Sequence, residues 1–133
     1  MEMQSNARAA AGPVQVYLDG LAAGRFEIQR CDGCGRAVFY PRCVCPYCGG
    51  AALQWFAPSG QGVVYATTTV YRKPEQGGDY NVCLVDLQEG VRMMSQVREV
   101  APGRVRIGMR VTARIATVGD AAQVVFEPAE ERA

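Results

Sequence analysis

The sequence predicts a mainly β protein, in which a short N-terminal helix, a cysteine-rich ribbon and a five-stranded barrel follow one another. Near the N-terminus, apolar residues recur at helical spacing. Two Cys-x-x-Cys pairs then lie within residues 31–48. The second half of the chain alternates β-branched or aromatic residues with polar ones and is divided by short turn signals, a pattern typical of strands.

Composition limits the functions that the chain can perform. It has 133 residues, of which 49% are hydrophobic, enough for one modest domain, or for a small module with a compact one. The formal net charge of +1 gives no global electrostatic reason to bind nucleic acid or an anionic membrane. The chain contains no histidine, which excludes a Ser-His-Asp relay, a Cys-His relay and a histidine-bound catalytic metal.

The N-terminal region divides into a predicted arm over residues 1–13 and a predicted helix over residues 14–24. The arm has no apolar period. In the helix, Val14, Tyr17, Leu18 and Leu21 form an apolar stripe, and Gly24 is placed to end it. The stripe packs either on the chain's own core or on a partner.

Targeting signals are not evident in the sequence. The N-terminus lacks the apolar segment of a signal peptide, and no run approaches the roughly 18 apolar residues of a membrane-spanning helix. We therefore expect a cytoplasmic protein without membrane contact, whose thiols stay reduced.

The ribbon, over residues 25–58, is predicted to hold a metal ion through Cys31, Cys34, Cys45 and Cys48. Two intervening residues let one tight knuckle present both sulfurs to the same ion, and a glycine follows each pair. Four thiolates complete a tetrahedral shell and leave no position for water. The pattern predicts a structural zinc ion, with iron as the less favoured metal because tetrahedral thiolate sites accept both.

The two other cysteines have different interpretations. Cys43 lies two residues before Cys45 and competes with it as a ligand; Cys45 is preferred because it preserves the two-residue spacing to Cys48. Cys83 lies within a predicted strand, and we interpret it as a small core residue and not as a nucleophile.

The barrel is predicted over residues 59–127, with an acidic tail over residues 128–133. The predicted strands cover 63–71, 80–87, 91–97, 109–115 and 122–126. Tight turns at Glu89-Gly90 and Gly119-Asp120 join neighbouring strands, and residues 100–107 form an irregular connection. Five consecutive antiparallel strands fit a Greek-key barrel such as the OB-fold, although spacing alone also permits another small barrel or a sandwich.

Together these segments resemble a known family, the small zinc-ribbon plus OB-fold proteins associated with acyl-CoA metabolism. The resemblance extends from Val14 to Phe126 and depends on YPRCVCPYCGG, SGQGVVYATTTVYR, YNVCLVDLQEGVRMMSQV and IGMRVTARI. It implies a rubredoxin-like ribbon followed by an OB-fold, and it puts all four predicted ligands on the family's ligand positions. Cys43 and Cys83 depart from the family pattern.

The resemblance also implies a function. Members of the family are accessory subunits of thiolase-type enzymes, which include thiolases, acyltransferases and aldolases, and the partner carries the catalytic residues. The chain would then form a hetero-oligomer, brace the partner and help hold or channel the CoA thioester. Candidate CoA contacts are Arg42, Arg92, Arg98, Arg110 and Arg114, because guanidinium groups bind phosphates in a bidentate manner. The alternative for these arginines is a solvated strand face.

Two other functions remain open at this point. OB-folds and zinc ribbons also bind nucleic acids, but the near-neutral charge argues against that function here. A free-standing acyl-CoA-binding protein or enzyme would need Cys83 or a tyrosine in a chemical role.

Overall fold

The computed structural model describes the backbone of residues 2–129 and the side chains of residues 12–129. Residues 130–133 of the predicted acidic tail lie outside this range, as do the side chains of most of the predicted arm. Among the residues described, no helix is both long and apolar enough to span a membrane.

Helix α1 spans Glu2–Ala22 and therefore begins earlier than the predicted helix. The lack of an apolar period predicted an arm, but Ala, Gln, Met and Arg all favour helix. The helix is interrupted at Gly12, which has φ 82° and ψ 170°, and the second segment starts at Pro13. Its end matches the prediction: Gly24 has φ 87°, its N–H donates to Leu21, and the N–H of Arg25 donates to Gly20 in a Schellman motif.

The ribbon is a three-stranded antiparallel sheet of order β2-β1-β3. Its strands are β1 (Ile28–Cys31), β2 (Ala37–Val38) and β3 (Leu53–Phe56). Strand β1 is central and ends at a predicted metal ligand, so the sheet positions the first cysteine pair directly.

The second sheet has five antiparallel strands in the order β6-β5-β4-β7-β8. Its strands are β4 (Gln61–Val70), β5 (Tyr80–Leu87), β6 (Arg92–Ser95), β7 (Arg110–Val118) and β8 (Ala121–Pro128). Short 3-10 turns at Pro74–Gln76 and Pro102–Arg104 lie in two of the connections. All five predicted barrel strands are present, and the third is shorter than the predicted segment.

The sheet curls until its two edges meet. A parallel bridge joins Val97, beyond the end of β6, to Phe126 in β8. The N–H of Phe126 donates to Gln96 at 2.9 Å, and the N–H of Arg98 donates to Phe126 at 2.7 Å. These contacts form a seam between the edges, and the strand order with this closure is that of the OB-fold predicted from the sequence.

One core connects the helix, the ribbon and the barrel. Tyr17 and Leu21 of α1 are buried in the same cluster as Ile28 of the ribbon and Phe126 of the barrel. The helix therefore packs on its own chain, one of the two possibilities that its apolar stripe left open. Leu18 remains 42% exposed.

Candidate metal centre

The first cysteine knuckle is a tight turn held by backbone hydrogen bonds. The N–H of Gly35 donates to the carbonyl of Cys31 at 2.7 Å, and the N–H of Cys31 donates to Arg36 at 2.9 Å. Gly35 has φ 79°, a conformation that glycine adopts without strain. A Cβ atom at Gly33 would lie at ordinary contact distance from the sulfurs of Cys31 and Cys48, 3.5 and 3.7 Å away.

The second knuckle repeats this geometry. The N–H of Gly49 donates to the carbonyl of Cys45 at 2.9 Å, and the N–H of Cys45 donates to Gly50 at 2.8 Å. Gly49 has φ 81°, which matches its counterpart in the first knuckle. The N–H of Tyr47 also points at the sulfur of Cys45, at 3.4 Å. The two knuckles therefore present their sulfurs in equivalent ways.

The four predicted ligands meet at one point between the knuckles. All four sulfur atoms lie within 4.8 Å of one another. The sulfurs of Cys31 and Cys48 are 3.6 Å apart, and those of Cys34 and Cys45 are 3.7 Å apart. A tetrahedral ion with metal–sulfur bonds of roughly 2.3 Å requires sulfurs about 3.8 Å apart. The arrangement therefore fits one tetrahedral ion with no position left for water.

The thiols themselves show why a cation suits the site. Burial opposes ionisation of Cys45, but N–H groups of Cys48 and Tyr47 outweigh it and lower the pKa of Cys45 to about 7. For Cys48, the N–H of Gly50 favours the thiolate, but the neighbouring thiol of Cys31 and the loss of some surrounding water raise the pKa to about 11. Four adjacent thiolates repel one another, and a divalent cation supplies the charge that lets all four ionise together.

The remaining cysteines lie apart from this centre. Cys43 is exposed and is not part of the group of four. Cys83 lies in β5 opposite Thr67 and Ser95 and is only 2% exposed. Burial raises the pKa of Cys83 to about 11, so the thiol is neutral at ordinary pH and serves as a core residue.

The five candidate arginines do not form one cluster. Arg92 lies over the ring of Tyr65, with its Cζ atom 3.4 Å from the ring centroid, and donates to Asp86 at 2.6 and 3.2 Å. Four directly opposite residues form a row across neighbouring strands: Arg110 in β7, Val63 in β4, Asp86 in β5 and Arg92 in β6. Arg92 and Arg110 thus share the outer face of the sheet, about 14 Å apart across three strand intervals.

The other three arginines lie elsewhere. Arg114 forms ion pairs with Glu127 and, at 3.6 Å, with Glu99. Arg98 lies beyond the end of β6, at the barrel seam, and so does not share a strand with Arg92. Arg42 is exposed on the ribbon.

The structure also contains features that the sequence patterns did not indicate. A cleft of about 360 Å³ between ribbon and barrel is lined by Phe39, Tyr47, Gly90 and Arg92, among others. A larger, mainly apolar groove of about 410 Å³ lies where the helix, ribbon and barrel meet. Both depend on contacts between segments far apart in sequence, which periodicity cannot reveal.

The ribbon and the barrel each match a known protein-family model. Residues 18–54 match the family model of the ChsH2 rubredoxin-like zinc ribbon domain, and residues 55–116 match that of the ChsH2 C-terminal OB-fold domain. A solved structure titled "Ltp2-ChsH2(DUF35) aldolase" is similar with a TM-score of 0.77 and 28% identity, covering 87% of this chain and 94% of that chain.

Curated relatives extend the comparison. A probable enoyl-CoA hydratase alpha subunit of Thermomonospora curvata is 34% identical over 89 residues; the match covers 65% of this chain but only 28% of that protein. A DUF35 domain-containing scaffold protein of Methanocaldococcus jannaschii is 33% identical over 104 residues, covering 73% of this chain and 74% of that protein. The chain therefore belongs to the DUF35 family of zinc-ribbon and OB-fold proteins, to which ChsH2 is related.

Proposed function

We propose that this chain is a non-catalytic, zinc-binding accessory subunit of a thiolase-like acyl-CoA enzyme. The observation that carries the proposal is the closed four-thiolate site in a chain without histidine. Such a site has no open coordination position for substrate, so the metal stabilises the fold and the chemistry is left to a partner. The names of its relatives, a hydratase subunit, a scaffold protein and an aldolase with two components, describe proteins that work in assemblies.

Zinc is the metal that we propose for the site, through Cys31, Cys34, Cys45 and Cys48. The sulfur separations suit a tetrahedral ion, and zinc has no redox chemistry that a bracing subunit would need to control. Iron in the same shell is the alternative. Because ferric thiolate sites are coloured and zinc sites are not, the absorption spectrum of the purified chain distinguishes the two.

The CoA thioester is proposed to lie against the outer arginine face. Arg110 is its best-placed member, since it is exposed on that side of the sheet. Arg92 is exposed on the same side, but it already donates to Asp86. Guanidinium groups bind phosphates strongly, and CoA carries phosphates at two places in its structure. Arg114 is a weaker candidate because two carboxylates already compete for it, and Arg42 and Arg98 would contribute only if the partner completes the site.

A catalytic role for the chain itself has less support. Cys83 would be the nucleophile of a free-standing enzyme, but it is buried with a raised pKa. Burial, followed by the neighbouring Tyr40, likewise raises the pKa of Tyr17 to about 12, so this phenol keeps its proton. A cytoplasmic location is part of the proposal, because four metal-binding thiols persist where disulfides do not form.

The test is a tagged pull-down from the native cell, with mass spectrometry and metal analysis of the same sample. A thiolase-like protein at matched stoichiometry, with one zinc per chain, supports the proposal. A chain recovered alone, or with nucleic acid, refutes the accessory-subunit function and favours an independent OB-fold function. A hydratase in place of a thiolase keeps the accessory function and corrects the enzyme class.

A further inference from the structure

A buried glutamine forms hydrogen bonds with the backbone of the loop that leads into the second knuckle. Gln29 lies in β1 and is only 4% exposed. Its Oε1 accepts from the N–H of Arg42 at 2.7 Å, and its Nε2 donates to the carbonyl of Arg42 at 2.9 Å. One amide side chain thus satisfies both backbone groups of a single residue, as a neighbouring strand would.

This amide fork is the last fixed point before the second knuckle. Upstream, Tyr40 contacts the ring of Tyr17, with ring centroids 6.4 Å apart. Downstream, Cys43 and Val44 are exposed, and the chain is next buried at Cys45. Fixing both peptide groups of Arg42 therefore fixes the direction in which the following three residues run towards the second knuckle.

The direction matters because two cysteines compete for one position. Cys43 and Cys45 are two residues apart, so a slip of the loop by two residues would bring Cys43 to the ion. Such a slip displaces Arg42 from Gln29 and leaves a buried amide without its partners, which costs free energy. The two hydrogen bonds of Gln29 therefore make the register with Cys43 at the ion less stable than the register with Cys45 there.

We infer that Gln29 is the positioning residue that selects Cys45 over Cys43 as the metal ligand. The hydrogen bonds of its side chain within the described part of the chain go to the backbone of Arg42 and not to a ligand sulfur, so it acts through that backbone. The inference rests on the four-thiolate site proposed above. It assigns to Gln29 the choice that the spacing of the cysteines alone left open.

The experiment uses the full chain loaded with zinc and compares the wild type with Gln29→Met, which keeps the length of the side chain but removes both hydrogen bonds. Iodoacetamide is applied briefly, and tandem mass spectrometry assigns the label to individual cysteines. In the wild type we expect labelling at Cys43, the exposed thiol outside the group of four. In the variant we expect the ratio of Cys45 to Cys43 labelling to rise about tenfold, since two hydrogen bonds no longer hold the register.

Two further variants sharpen the comparison. Gln29→Glu keeps the acceptor for Arg42 N–H but places a buried carboxylate oxygen against the Arg42 carbonyl, so a ratio at least as high as in Gln29→Met is expected. Gln54→Met replaces an exposed glutamine on the adjacent strand β3 and should match the wild type. Fluorescence of Trp55, the single tryptophan, checks that the ribbon is folded in each protein.

The labelling pattern separates a register function from simple destabilisation. A register change exchanges protection between Cys43 and Cys45, whereas a loosened ribbon exposes all four ligands together and so overturns the inference. Unchanged labelling in a Gln29→Met protein that holds one zinc also overturns it, while the proposed metal site stands. A wild-type chain that binds no metal refutes the site itself, and the inference fails with it.

Discussion

Replacing the buried proposed ligand Cys31 by serine tests the metal centre directly. Cys31 is fully buried at the end of β1, and its sulfur is 3.6 Å from that of Cys48. Structural zinc contributes roughly 10–16 kcal/mol of binding free energy in small thiolate and imidazole sites, so one of four ligands accounts for about 2.5–4 kcal/mol. We expect zinc affinity to fall at least about a hundredfold in Cys31→Ser, with loss of the ribbon's order.

The assay combines chelator competition with limited proteolysis. Trp55 lies in β3, opposite Gln29 in the ribbon sheet, and packs on the core that ribbon and barrel share, so its fluorescence reports the order of β3 and of that contact. Cleavage should begin within residues 25–58 once the metal is lost. Cys43→Ser is the matched control, because it removes a neighbouring thiol that lies outside the group of four. A Cys31→Ser protein with one zinc per chain and wild-type proteolysis would refute the ligand set.

Three further predictions concern the barrel and its outer face. Arg110→Glu should weaken binding of a CoA thioester to the assembled complex about tenfold, since it removes one charged contact to phosphate. Arg104→Glu is the control, because it changes the net charge by the same amount. If calorimetry gives the same CoA-thioester affinity for both variants, the outer face of the sheet does not bind the phosphates. Phe126→Ala should lower the free energy of unfolding by about 3–5 kcal/mol in urea titration, because Phe126 is fully buried; a loss below about 1 kcal/mol would contradict its place in the core. Cys83→Ala should reduce the fall in the free energy of unfolding at alkaline pH. The pKa of the thiol is about 9.0 in the unfolded chain and about 11 in the folded one, so only the unfolded state is ionised between these values and the wild type becomes less stable as pH rises through this range. Thermal melts at pH 8 and pH 10.5 test this, and equal pH dependence in both proteins would contradict it.

The strands and the meeting of the four paired cysteines were predictable because their signals are local. Alternating side chains along residues 80–87 predict a strand with one buried face. In the structure that face carries Cys83, Val85 and Leu87, and all three are buried. The paired cysteines likewise carry their geometry within single turns. A short sequence window holds all of the information that such features need.

The arginine face and the amide fork were not predictable in the same way. Whether Arg114 faces solvent or carboxylates depends on the register of β7 against β8, which brings Glu127 beside it. Gln29 looked like an ordinary polar residue in a strand, and its partner lies 13 positions away in an irregular loop. The helix extended past its predicted start because intrinsic propensity, and not apolar periodicity, governs its first half.

The seam between Val97 and Phe126 has a consequence for how the barrel folds and moves. The β4–β5 and β7–β8 pairs are hairpins that close over short stretches of chain, whereas the seam joins residues almost thirty positions apart. Contacts between distant residues carry a larger loop-closure cost, so we expect the seam to form after the hairpins. In native-state hydrogen exchange, the amide hydrogens of Arg98 and Phe126 should then exchange faster than that of Val85 in the sheet centre. The barrel would thus open locally at the seam, beside the apolar groove, while its hairpins stay intact.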